Sequence, residues 1–193
     1  MKSSKRNFFI LLAIPGAIFY GTSLVVSSTA VPVQENAGAL QAKNYLRSLQ
    51  LQLLSAVQEK RFAEAEMFFR RIRKLDKTPP MVQRLGSVAL YHNGKLNEAE
   101  TLLRNLLVQN PRDFICRNNY AAVLAAKGRP QALNEFVRAW EDSDGSSFVE
   151  KNLYRCAGKF KTSLPGGMKK SEGRTPVFTG VPVDAVTFEE EKR

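Results

Sequence analysis

The sequence predicts an all-α fold: a right-handed α-solenoid of about three helical hairpins, closed by a C-terminal capping helix and followed by a disordered tail. Three observations carry that reading. Lys60, Gly94 and Gly128 stand 34 residues apart, and each separates two helical stretches. The second stretch of each pair repeats as well: Ala65, Ala99 and Ala132, then Phe69, Leu103 and Phe136, then Ile72, Leu106 and Ala139. The step is 34 and then 33, so the third copy has lost one residue near Pro130. A small residue followed by apolar ones four and then three positions later marks one face of a helix. A period of this size made of two helices describes a stack in which each unit packs only on its neighbours.

The chain opens with Lys2, Lys5 and Arg6, then an uncharged apolar stretch over 8–26, then Ser27-Ser28-Thr29-Ala30. Small residues at Ser28 and Ala30 suit cleavage before Val31, so residues 1–30 read as a signal peptide. The apolar stretch is also long enough for a tilted membrane span, so a retained anchor stands beside that reading. Either way the basic end stays in the cytoplasm and the rest of the chain is expected outside it, periplasmic or anchored to the inner membrane. Residues 31–38 are expected to be a linker.

Three copies follow, over 39–78, 80–111 and 113–142. Small residues at Ala65, Ala99 and Ala132 let the two helices of a pair approach closely, and the larger residues beyond them fill the space between pairs. Gly94 and Gly128 suit a left-handed helix C-terminus. Asn97 with Glu100 reads as a capping box, and Pro130 as a first-turn proline. Ser147 and Glu150 form a second capping-box pattern, opening a helix whose apolar positions are Val149, Leu153, Cys156 and Phe160. That helix, within 143–158, is expected to cover the last pair, with Trp140 packing beneath it.

At these residues the chain resembles the tetratricopeptide repeat family. The resemblance is clearest over 80–111, with Gly94-Lys95-Leu96-Asn97-Glu98-Ala99-Glu100 at the turn and Asn110-Pro111 at the end. It continues through Asn118-Asn119-Tyr120-Ala121, Gly128, Ala132, Phe136 and Ala139, and is degenerate in the first copy, where Lys60 stands for Gly. It covers about 100 of the 193 residues. The resemblance implies a groove lined by the first helix of each pair, here Arg47, Gln50 and Leu54, then Arg84, Val88, Tyr91 and His92, then Asn118, Ala122 and Ala125. It does not carry over the carboxylate clamp of some family members, because Val88 and Ile115 stand where that clamp has Asn and Lys.

Composition narrows the function. Of 29 basic residues three would leave with the leader, and none of the 18 acidic ones, giving a mature net charge of +8. A basic exported protein meets anionic lipid, acidic envelope polymer or acidic proteins. Arg70-Arg71-Arg73-Lys74 lacks the aromatic interleaving that stacks bases, so nucleic acid is not an expected partner. No cofactor or metal is expected: His92 is the single histidine, and no Cys or carboxylate cluster accompanies it. No nucleophile–base pairing points to an enzyme. Cys116 and Cys156 are expected to lie too far apart along neighbouring helices for a bridge and to be buried thiols.

The tail, 159–193, is rich in Gly, Pro and Lys and is expected to be flexible. Val177, Phe178, Val181, Val183, Val186 and Phe188 are more apolar than a linker needs. They leave open a short adhesive segment, docked in the chain's own groove or added to a partner as a strand. The function expected is a non-catalytic adaptor in a bacterial cell envelope, holding a peptide or helix of another envelope protein. The alternatives are a membrane-anchored assembly factor acting through 8–26, and a binder of anionic envelope polymer.

Overall fold

A computed structural model of the chain describes residues 37–75, 78–164 and 182–188. The segment expected to be a leader or anchor, residues 1–30, lies outside them, as does most of the tail. No described helix is long and apolar enough to cross a membrane. Among the described residues seven helices run in order: α1 (Ala37–Gln58), α2 (Phe62–Arg73), α3 (Pro80–His92), α4 (Leu96–Gln109), α5 (Phe114–Ala126), α6 (Ala132–Asp142) and α7 (Ser147–Phe160). The described residues contain no strand. Two residues of the expected linker, Ala37 and Gly38, already belong to α1.

Each helix packs against the next, and the odd-numbered helices α1, α3, α5 and α7 also pack against one another in sequence. The periodic residues make the core: Ala65, Ala99, Ala132, Leu103, Phe136 and Ala139 are fully buried, and Phe69, Ile72 and Leu106 nearly so. Gly86 shows how close α2 and α3 come, since a Cβ there would lie 2.5 Å from the Phe69 ring. The turns explain the other glycines differently. Gly94 and Gly128 have φ of +73° and +71°, and a Cβ on either would meet nothing within 4 Å. Conformation, not space, selects glycine there. Lys60 adopts the same left-handed conformation at φ +59° with a full side chain.

Both expected capping boxes are absent. Asn97 lies inside α4, whose N-cap is Lys95 without a side-chain cap bond. Glu100 is instead buried and accepts from Arg104 at 2.6 Å, from Arg129 at 2.8 Å and from Lys127. Asn97 accepts from Lys127 at 2.7 Å. Three cations compensate a desolvated carboxylate better than one backbone N–H, so Glu100 is drawn to the turn between α5 and α6. Ser147 likewise lies inside α7, with Ser146 at the N-cap. The preceding turn, carrying Gly145 at φ +85°, aims the Ser146 N–H at Ser143 Oγ, 3.0 Å away. Pro130 precedes α6, whose N-cap is Gln131, and its carbonyl accepts from the Leu133 N–H at 3.1 Å.

Glu66 repeats the Glu100 arrangement 34 residues earlier. It accepts from Arg70 at 2.7 Å, Asn93 at 2.8 Å and Lys95. Burial opposes ionisation of Glu66, but hydrogen bonds from Lys95, Arg70 and Asn93 outweigh it and hold the carboxyl at about 2. Glu100 is held below the ordinary carboxylate range, above all by its hydrogen bond from Lys127. Glu66 on α2 thus ties down the turn between α3 and α4, and Glu100 on α4 the turn between α5 and α6.

Candidate functional site

The face shared by α3, α5 and α7 is occupied by the chain's own residues 182–188. The segment enters through a turn closed by the Ala185 N–H on the Pro182 carbonyl, 2.9 Å. Beyond it, main-chain groups two residues apart face the same side, as in an extended strand.

Three buried asparagines read that main chain. The Asn119 amide donates to the Asp184 carbonyl at 2.7 Å and accepts from the Val186 N–H at 2.7 Å. The Asn152 amide repeats this one step on, donating to the Val186 carbonyl and accepting from the Phe188 N–H, both at 2.9 Å. Asn118 couples the two clamps: it donates to the Val186 carbonyl at 3.0 Å and to Asn119 Oδ1 at 3.2 Å, and accepts from Asn152 at 2.8 Å. Arg155 donates to the Phe188 carbonyl at 2.9 Å. Each clamp spans a carbonyl and the N–H two residues later, which is what a neighbouring strand would offer. The asparagines are at most 1% exposed, so each bond replaces a solvation otherwise lost on burial.

Side chains add selectivity. Arg84 donates to Asp184 at 2.6 Å and to Asp113 at 2.7 Å. Asp113 is the N-cap of α5, its other oxygen accepting from the Cys116 N–H at 3.0 Å, so the guanidinium is anchored to the scaffold. Val186 and Phe188 are buried in the main core. The Phe188 ring lies 6.3 Å from Phe136, with Lys159 Nζ 5.5 Å from its centroid. Ala185 packs with Ala139, Phe148, Val149 and Trp140 and also borders a cavity of about 460 Å³. Thr187 and Val183 are partly exposed.

The groove residues read from the sequence divide. Arg84 and Asn118 bind the segment. Val88 and His92 line an adjoining cavity of about 460 Å³ with Val57, Phe62, Val183 and Thr187. His92 stacks on Phe62, centroids 3.9 Å apart, and Tyr91 meets its edge. Ala122 is fully buried in the core. Arg47 and Gln50 stand on α1, and no hydrogen bond or ion pair among the described residues joins them to the segment. Asn152 and Arg155 escaped the sequence reading, and Asn119 entered it only as part of the repeat motif, not as a groove residue. Yet Gln50, Arg84, Asn118 and Asn152 stand at successive steps of 34, so one more step of the period reaches Asn152. Treating α7 only as a cover hid it.

Elsewhere, Arg70 is engaged by Glu66 and Glu98, and Arg73 lies over the Phe69 ring at 5.6 Å. The basic run therefore serves its own scaffold in part. Cys116 and Cys156 are unbridged and buried, and burial pushes their thiols up to about 12 and about 11.

Compared with known proteins, the chain matches no family model and none of the curated proteins. The likeness to tetratricopeptide repeats rests on the residues themselves.

Proposed function

We propose that this protein is a non-catalytic adaptor of the bacterial cell envelope, a tetratricopeptide-like solenoid that holds an extended segment of another envelope protein between α3, α5 and α7. One observation carries the reading: three buried asparagines at those helices pair with main-chain groups at a two-residue step. Side-chain amides that bind backbone hold a segment of many sequences, while pockets for alternate residues select among them. The leader supports export, with residues 8–26 as a cleaved signal core or an anchor.

The test compares capture of envelope proteins by the wild-type chain and by Asn119→Ala/Asn152→Ala. A partner retained by wild type at raised salt and lost from the variant supports the reading. Retention that survives the substitutions but is stripped by salt overturns it in favour of an anionic polymer on the basic surface.

A further inference from the structure

We infer that residues 182–188 are a tethered, exchangeable ligand of the groove, and that they spell the motif of the partner segment: a carboxylate, any residue, a β-branched apolar residue, any residue, then an aromatic. The inference deepens the adaptor reading and rests on it.

The lining of the groove argues for exchange. A segment meant to stay for good is held well by apolar contacts alone, and buried polar pairs add little over them. Here the contacts to the main chain are amides, Asn118, Asn119 and Asn152, supported by Arg155. Such groups regain water when the segment leaves, so an open groove is not left with stranded polar atoms. Arg84 is arranged the same way. It loses Asp184 on release but keeps Asp113, 2.7 Å away on α5. The guanidinium therefore remains paired in either state.

The side chains define what can replace the segment. Asp184, Ala185, Val186 and Phe188 are each less than 9% exposed, while Thr187 remains partly open. Arg84 selects the carboxylate, and Phe136 with Lys159 receives the aromatic. An aromatic anchor in a desolvated pocket carries a large share of such binding. The net charge of +11 favours approach of an acidic segment. Residues 165–181 join the segment covalently to the body. Tethering of this kind sets an effective concentration on the order of 1 mM, so a partner must outcompete the resident segment.

The experiment uses the full chain in detergent, with a specific protease site inserted within 165–181, and a fluorescent peptide copying residues 181–190. Cleavage breaks the covalent link and changes none of the residues that make the described contacts. The peptide is expected to bind the cut protein on the order of 100-fold more tightly than the uncut protein. Phe188→Ala in the peptide is expected to weaken binding by about 30-fold or more, and Asn119→Ala/Asn152→Ala in the protein to abolish it. An uncut chain carrying Asp184→Ala/Phe188→Ala should bind the peptide as the cut protein does, which guards against a cleavage product that misfolds. Equal binding to cut and uncut protein overturns the inference. So does a cut segment that stays through extensive dilution while no peptide enters, because it is then a fixed part of the fold. Both failures leave the adaptor reading to the capture experiment above. A dimer that forms with concentration and dissolves on adding peptide also overturns the tethered form, assigning the groove to a second copy's segment.

Discussion

At the residue scale the account turns on amides that do the work of a strand. Asn119 satisfies one carbonyl and one N–H of the segment at once. Replacing it with alanine leaves both groups without a partner, so Asn119→Ala should cost about 2 kcal/mol, read as the midpoint shift in urea denaturation. The cost is capped by the docking energy of the segment, which can leave rather than stay unsatisfied. Two backbone positions give opposite signs. Gly86→Ala drives a methyl into the Phe69 ring and should cost about 1–3 kcal/mol. Lys60 holds φ +59° with a side chain, so Lys60→Gly should stabilise by about 0.5–1 kcal/mol despite the added freedom of the unfolded chain.

At the scale of elements, the same 34-residue step that orders the apolar core also orders the charges. Glu66 takes Lys95, and Glu100 takes Lys127 and Arg129, from the turn of the next hairpin. Glu66 is held at about 2, well below its ordinary 4.5. A depressed carboxyl stabilises the fold above the unfolded value, and that contribution drains away as pH falls from about 4.5 towards 2. Glu66→Gln should therefore cost on the order of 1–2 kcal/mol at pH 7, discounted for the exposure of Lys95 and Arg70, and flatten the acid limb of a stability–pH curve. The helices, the left-handed turns and the core face were all legible in the sequence, because periodic apolar residues and glycines report local geometry. The capping boxes misled for a physical reason. Asn97 and Glu100 satisfy the local spacing, but cations 27 and 29 residues on from Glu100 compete for its carboxylate, and no local window contains them.

At the scale of the molecule, part of the site was readable and part was not. Arg84 and Asn118 followed from the period. Asn119 and Asn152 needed the segment beside them, which arrives from 65 or more residues away for Asn119 and 34 or more for Asn152. Apolar Val186 and Phe188 in a Gly/Pro-rich tail were the available sign, and they are buried. The buried thiols give a whole-fold readout. Cys116 and Cys156 should resist a thiol reagent at pH 8 and react together on unfolding, since burial holds both thiols neutral. The most direct test is hydrogen exchange at the Val186 and Phe188 amides of the full chain. Docked on Asn119 and Asn152, both should exchange about 100-fold or more slowly than in a free peptide, and lose that protection together in Asn119→Ala/Asn152→Ala. Exchange at free-peptide rates in the wild-type chain would contradict the account.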